Sequence, residues 1–276
     1  MTKHHMIIAI SAALSSVPAL ADDITITTGY AGGSYYNVLG NNLGQILGER
    51  GHDVTLQESA GSIENIERVA SGDAQLGFAQ ADAVAFWSDR NAGSNVQIIG
   101  SLGSECVYIA AGEHSGIDDE DDLEEGVKIA VGDQGSGSAV SWQYLQQLED
   151  DYQETSTYFR GGVLAMSQVK GGQLDAFLWV TSPENLDHKY LRAALADGSG
   201  MKLIDVDDYS LNEELPNGEQ VYEFRDVVVK EGTFSDTEVE VPCTSVLVIA
   251  SETASGTVLE DVATAVMMNS NRIQGK

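Results

Sequence analysis

The sequence predicts an α/β fold divided into two lobes with a cleft between them, and three observations carry that expectation. From Asp22 onward, short apolar strands alternate with amphipathic helices, the order that builds parallel sheets covered by helices. The chain also echoes itself: Val69-Ala70-Ser71-Gly72 leads into Leu76-Gly77-Phe78-Ala79, and Val169-Lys170-Gly171-Gly172 leads into Leu174-Asp175-Ala176-Phe177-Leu178. In each case a helix ends on glycine and a buried strand follows, as in two similar lobes, although two unrelated αβ units can resemble each other this far. Finally, three glycine- or serine-rich turns, Gly32-Gly33-Ser34, Gly61-Ser62 and Gly135-Ser136-Gly137-Ser138, each fall between a strand and a helix.

The elements read in order as follows. Lys3, His4 and His5 precede an apolar run over residues 6–20, and Ala19-Leu20-Ala21 closes it before Asp22 and Asp23. A charged start, a short greasy core and a small-x-small site make residues 1–21 a signal peptide cleaved after Ala21. The run falls short of the roughly 20 apolar residues a membrane-spanning helix needs. Ile24-Thr25-Ile26-Thr27 is a β-branched strand, and a helix from about Tyr35 places Leu39, Leu43, Ile46 and Leu47 on one face. Val54-Thr55-Leu56 is the next strand, followed by a helix with Ile63, Ile66, Val69 and Ala70 together that Gly72 stops. Val96-Gln97-Ile98-Ile99 and Cys106-Val107-Tyr108-Ile109-Ala110 read as two strands closing the first lobe. Val127-Lys128-Ile129-Ala130-Val131 opens a second strand-loop-helix unit. Residues 205–240 are acidic and show no clear period. Val246-Leu247-Val248-Ile249-Ala250 is a strand, and its helix, with Val258, Leu259, Val262, Ala263 and Val266, returns to the first lobe.

Acidic residues number 43 against 14 Lys plus Arg, a formal net charge of −29. Such a chain repels nucleic acid and anionic lipid. The acid is spread along the whole length, which suits a salt-rich habitat where counter-ions quench self-repulsion. The run Asp118-Asp119-Glu120-Asp121-Asp122 lacks the glycine and alternation of a calcium loop and reads as solvated surface. His52, His114 and His188 are scattered without ligand spacing, so no metal is assigned. The two cysteines, Cys106 and Cys243, permit one disulfide in an exported chain.

The chemistry of the turns points to binding rather than catalysis. Free backbone N–H groups and the positive end of the helix dipole favour an anionic group at a helix start, and in open α/β sheets ligands sit beyond the carboxyl ends of the strands. No Lys follows the glycines as in a phosphate-binding P-loop, the third glycine of a dinucleotide fingerprint is missing after Gly135-Ser136-Gly137, and no G-x-S-x-G elbow is present. With no nucleophile beside a base, no catalytic residue and no cofactor are assigned. Tyr35, Tyr36 and Trp179 lie beyond a glycine turn and at a strand end, positions suited to either lobe core or ligand contact, and Gln80 and Asp82 end the strand through Phe78.

Taken together, Thr28-Gly29-Tyr30-Ala31-Gly32-Gly33-Ser34-Tyr35-Tyr36, Ser59-Ala60-Gly61-Ser62-Ile63-Glu64-Asn65, Ser71-Gly72-Asp73-Ala74-Gln75-Leu76, Gln80-Ala81-Asp82, Ser115-Gly116-Ile117, Val131-Gly132 with Gly135-Ser136-Gly137, and Leu174-Asp175-Ala176-Phe177 resemble, in order, the TAXI solute-binding proteins of tripartite ATP-independent periplasmic (TRAP) transporters. Tyr30 and Ala31 depart from the more usual Gly-Thr, and Thr181-Ser182-Pro183 from a common Gly-x-Pro. The resemblance implies a periplasmic binding protein, type II-like, that closes on a small acid such as glutamate or 2-oxoglutarate and docks on a membrane permease; the same scaffold also serves ligand-sensing modules that feed a signalling partner. It implies a monomer in the periplasm, with residues 22–108 plus about 243–276 as lobe 1 and 109–242 as lobe 2. The ligand contacts it suggests are Gly33, Ser34, Tyr36, Ser62, Asn65 and Gln80 from lobe 1, and Ser136, Gly137, Ser138 and Trp179 from lobe 2, with Arg160 as a reserve cation. Crossover strands run side by side in such proteins, which would set Cys106 near Cys243, as a disulfide or as two buried thiols.

Overall fold

The computed structural model describes residues 22–91, 96–215, 217–232 and 235–276. The signal segment expected over residues 1–21 lies outside them. The first half runs β1 (Asp23–Thr27), a π-helical turn (Tyr35–Gly40) continuing into α1 (Asn41–Glu49), β2 (Asp53–Gln57), α2 (Ser62–Ser71), β3 (Leu76–Gln80) and α3 (Ala81–Arg90). After β4 (Val96–Gly112), the second half runs β5 (Lys128–Ala130), α4 (Gly137–Leu148), α5 (Asp150–Gln153), β6 (Ser156–Tyr158), α6 (Gly162–Lys170), β7 (Ala176–Thr181), α7 (Lys189–Ala194) and β8 (Met201–Ile204). The chain then forms β9 (Tyr222–Lys230), β10 (Thr237–Ser251) and α8 (Gly256–Ile273).

All ten strands hydrogen-bond into one sheet of order β2-β1-β3-β10-β4-β7-β5-β6, with β8 beside β4 and β9 beside β10. Its two ends are built alike: β1 pairs in parallel with β2 and β3, and β5 in parallel with β6 and β7. The echo noted in the sequence therefore falls at equivalent places, since α2 leads into β3 and α6 into β7, each passing through a glycine of positive φ, Gly72 and Gly172. Between the ends, β4 and β10 run antiparallel and join the halves.

The expected pair of short strands over residues 96–99 and 106–110 is a single strand of 17 residues. It stays continuous because β10 pairs with it from Val96 to Cys106, with register shifts beside Val246 and between Val248 and Ile249, and β7 and β8 pair with the remainder. Within the acidic stretch over 205–240, β9 pairs with β10, and Val227 and Val229 are buried while Glu223, Asp226 and Lys230 are exposed.

Strand alternation divides the core by face. On one face the apolar residues form a continuous cluster from Ile66, Val69, Val84 and Trp87 of the first half to Val140, Trp142, Tyr144 and Leu145 of α4, because α3 packs on α4. On the other, two clusters stay separate. One gathers Ile24, Ile26, Leu43, Leu47, Phe78 and Val262 under α1 and α8; the other gathers Tyr108, Met166, Phe177, Trp179 and Leu191 under α6 and α7. A disulfide joins Cys106 to Cys243, which face each other directly across β4 and β10.

Candidate functional site

The carboxyl ends of the two parallel strand sets point toward each other, and a cavity of ≈ 230 Å³ lies between them. Gly29, Tyr30, Gly33, Ser34 and Tyr35 line it from the segment after β1, Ala60, Gly61 and Ser62 from the turn before α2, and Gln80 from the end of β3. Glu105 of β4 and, from the second half, Ser136, Gly137, Ser138 and Val180 complete it.

Each turn has a physical reason for its residues. Gly33 N donates to Tyr30 O (2.8 Å), and the Tyr30 ring lies so close over this turn that a Cβ on Gly33 would stand 3.0 Å from it. Gly61 takes φ 147°, a conformation other residues rarely adopt, and a Cβ there would sit 2.8 Å from Gly135 O. The two halves thus touch backbone to backbone at these glycines. Ser136 caps α4, its Oγ accepting from Ala139 N (3.3 Å), and Ser138 Oγ accepts from Val180 N (3.1 Å). In both bonds the serine oxygen is the acceptor, so each hydroxyl hydrogen remains free to point at a guest.

Gln80 is buried, and its backbone N donates to Ser62 Oγ (3.2 Å). Its side-chain oxygen presses on Gly137, where a Cβ would come within 2.2 Å, while its Nε2 is buried without a hydrogen-bond partner. A buried donor left unpaired costs free energy until an acceptor arrives. Opposite in character is Glu105, whose Oε2 accepts from Tyr35 Oη (3.1 Å). Burial pushes its carboxyl up to about 7, the Tyr35 hydrogen bond opposes that rise, and the nearby Asp82 adds to it. The same burial, reinforced by Glu105, holds the Tyr35 hydroxyl well above its ordinary value. No Lys or Arg is among the described residues that line the cavity.

The structure brings Gly33, Ser34, Ser62, Gln80, Ser136, Gly137 and Ser138 together at this cavity. It places Tyr36, Asn65 and Trp179 elsewhere. Adjacent helical residues point about 100° apart, so Tyr35 faces the cavity and Tyr36 stands outside its lining. Asn65 lies beneath the floor, where Oδ1 accepts from Thr27 Oγ1 (2.6 Å) and Nδ2 donates to Thr28 O and to Phe78 O (2.8 Å), tying β1 to β3. Trp179 points to the opposite face of β7 from Val180 and stacks on Tyr108 and Phe177 in the core. Arg160 is also turned away, donating to Gln168 Oε1 (3.2 Å) with its guanidinium over the Tyr158 ring.

Asp82 sits below the cavity floor as a fully buried hub between the halves. It accepts from Ser141 Oγ of α4 (2.5 Å), Tyr222 Oη (3.1 Å) and Ala83 N (2.7 Å), while its own N donates to Thr244 Oγ1 (3.1 Å). Burial raises its carboxyl to about 6 against those stabilising bonds. Sequence reasoning left Tyr35 open between core and ligand contact and missed Tyr30 and Glu105 as cavity residues; a carboxylate beside an apolar strand, Ser104-Glu105-Cys106, was the available signal for the last. Among the described residues, no group of three or more His, Cys, Asp and Glu is placed to hold a metal ion, and no helix is long and apolar enough to cross a membrane.

Solved structures share this architecture. An ABC uptake transporter substrate-binding protein from Streptococcus pneumoniae, with bound histidine, aligns with TM-score 0.53 at 14% identity over 92% of this chain and 89% of its own. The arginine-, lysine-, histidine-binding protein ArtJ from Geobacillus stearothermophilus aligns with TM-score 0.51 at 12% identity over 91% and 92%. The GluR0 ligand-binding core in complex with L-glutamate gives 0.51 at 12% over 94% and 97%. At such identities the likeness establishes the fold, a mixed α/β binding-protein fold of two lobes. In sequence, the NMT1-like family matches residues 26–270, and the chain belongs to that family.

Proposed function

We propose that this protein is an exported, non-enzymatic receptor that captures a small organic acid or amino acid in the cavity and delivers it to a membrane permease. The observation that carries the reading is the convergence of turns from both halves on one small cavity, with the buried Gln80 Nε2 lacking a partner there. At roughly 30 Å³ of liquid per water, a cavity of ≈ 230 Å³ holds about eight waters, the bulk of a small metabolite. The starts of α2 and α4 at the cavity supply N–H groups and dipole for a carboxylate without help from Arg or Lys.

The finer assignment follows the TAXI-like motifs. The partner is a TRAP-type permease, the compartment is the periplasm, and the lobes are residues 22–108 plus 243–276 and 109–242, so that binding and closure are one event. A thermal-shift screen over organic and amino acids tests the capture. A true ligand at 100 times its dissociation constant stabilises by about 2.7 kcal/mol, and no stabilisation by any member would remove the reading. The double variant Ser136→Ala, Ser138→Ala should weaken binding at least tenfold. Because it also removes the α4 cap and the Val180 bond, it should cost about 2 kcal/mol of stability as well.

A further inference from the structure

We infer that Glu105 is the selectivity carboxyl of the cleft: it admits a carboxylate that carries a hydrogen-bond-donating or cationic group beside it, and it rejects dianions. This rests on the capture reading above and narrows its ligand class. The cavity has two chemically opposite poles. At one, the buried Gln80 Nε2 and the helix starts at Ser62 and Ser136 offer donors. At the other, Glu105 offers an acceptor. Tyr35 Oη engages Oε2 alone, and Oε1 accepts nothing from the described residues.

The charges around Glu105 leave that acceptor unanswered. Asp82 and Tyr35 are the titratable groups that act on it, and neither is a cation. Arg225, Glu184 and Lys276 line a neighbouring cavity of ≈ 470 Å³ that shares Ser34, Tyr35 and Glu105. Both of those cations are already matched, Arg225 with Glu223 and Lys276 with Glu184 (2.5 Å). A half-buried carboxyl without a positive partner is costly to ionise, and desolvation is the leading reason Glu105 is pushed up to about 7. A ligand ammonium or amide N–H supplies the missing donor. A second carboxylate meets like charge where no Lys or Arg among the described lining residues can offset it.

The test is calorimetric titration, at pH 8 and at pH 6, of the wild-type protein and of Glu105→Gln with three matched pairs: L-glutamate with 2-oxoglutarate, L-leucine with 4-methyl-2-oxopentanoate, and L-alanine with pyruvate. The expected result is that at least one pair binds and that its amino acid binds the wild type at least tenfold tighter than its 2-oxo acid at pH 8. Glu105→Gln, which keeps an acceptor for Tyr35, should bring that ratio below threefold by weakening the amino acid alone. Equal or tighter binding of the 2-oxo acid by the wild type would overturn the inference, as would an unchanged ratio in Glu105→Gln. At pH 6, below the raised value of about 7, a protonated Glu105 no longer rewards a cation, so the wild-type ratio should fall; a ratio equally high at pH 6 and pH 8 would also overturn the inference. If no probe binds either protein, the capture reading itself falls, an outcome distinct from binding without discrimination.

Discussion

On one face of the sheet the apolar core runs unbroken from α2 and α3 to α4, whereas on the other the cores under α1 and α8 and under α6 and α7 are separate. The ≈ 470 Å³ cavity lies at that division, with Val38, Leu39, Leu102 and Val246 on one side and Ser182, Pro183, Glu184 and Arg225 on the other. The difference shows where the halves can part at low cost. Separating them along the α3–α4 seam exposes a dry core and strips Asp82 of Ser141 and Tyr222, while separating them on the divided face widens a gap that already exists.

The largest effect should come from truncating matched leucines on the two faces. Leu145→Ala, in the unbroken core, should cost about 4 kcal/mol, and Leu102→Ala, at the edge of the divided face, about 2 kcal/mol, read from urea denaturation midpoints. Equal costs would break the comparison. Next is the disulfide, which fixes β4 to β10 on the divided side. Replacing Cys106 and Cys243 together by Ser should cost about 3–4 kcal/mol, given a sequence separation of 137, and a loss below 1 kcal/mol would show that the strand pairing suffices without it.

Asp82 gives a pH signature to the seam. Its folded pKa is raised to about 6 from 3.8, so its contribution to stability is fully present below pH 4 and is lost as pH rises through 6, a change on the order of 3 kcal/mol. Asp82→Asn should flatten the stability profile between pH 4 and 7 relative to wild type; identical slopes would mean that Asp82 binds its proton no more tightly in the folded state than in the unfolded one. The smallest effect concerns the acidic surface, with a net charge of −29. Molar salt should raise the melting temperature by a few degrees by screening repulsion, and a fall would argue against adaptation to a salt-rich habitat.

What was legible in the sequence is what is encoded locally. A strand running into glycine and then into a capped helix is a short-range signal, so the turns at Gly33, Ser62 and Ser136 could be read before any tertiary contact was known. Residue parity was harder. Trp179 and Val180, like Tyr35 and Tyr36, differ by one position, and only packing decides which of two neighbours faces the cavity. For Glu105 the local signal was only a carboxylate beside an apolar strand, and what it faces depends on β4 pairing with β10, a partner more than a hundred residues away. In β9, acidic residues interrupt the apolar run, and the strand becomes readable only once Val227 and Val229 are seen to face inward.

The two register shifts in the β4–β10 ladder have a mechanical meaning. Between Ser101 and Ser104, two residues of β4 oppose the single Val246, and Gly103 takes φ 135°; Ile99 is a second extra residue opposite the step from Val248 to Ile249. A ladder with supernumerary residues on one rail is a lever with its compliance built in, because torque applied at the ends gathers where the rungs are missing. The first of these, at Leu102 and Gly103, lies immediately before the Ser104-Glu105 pair. On the proposed closure of the lobes, the carboxyl that faces the cavity would be carried by the stretch of the ladder that yields first, so a small rotation would re-aim it at the guest.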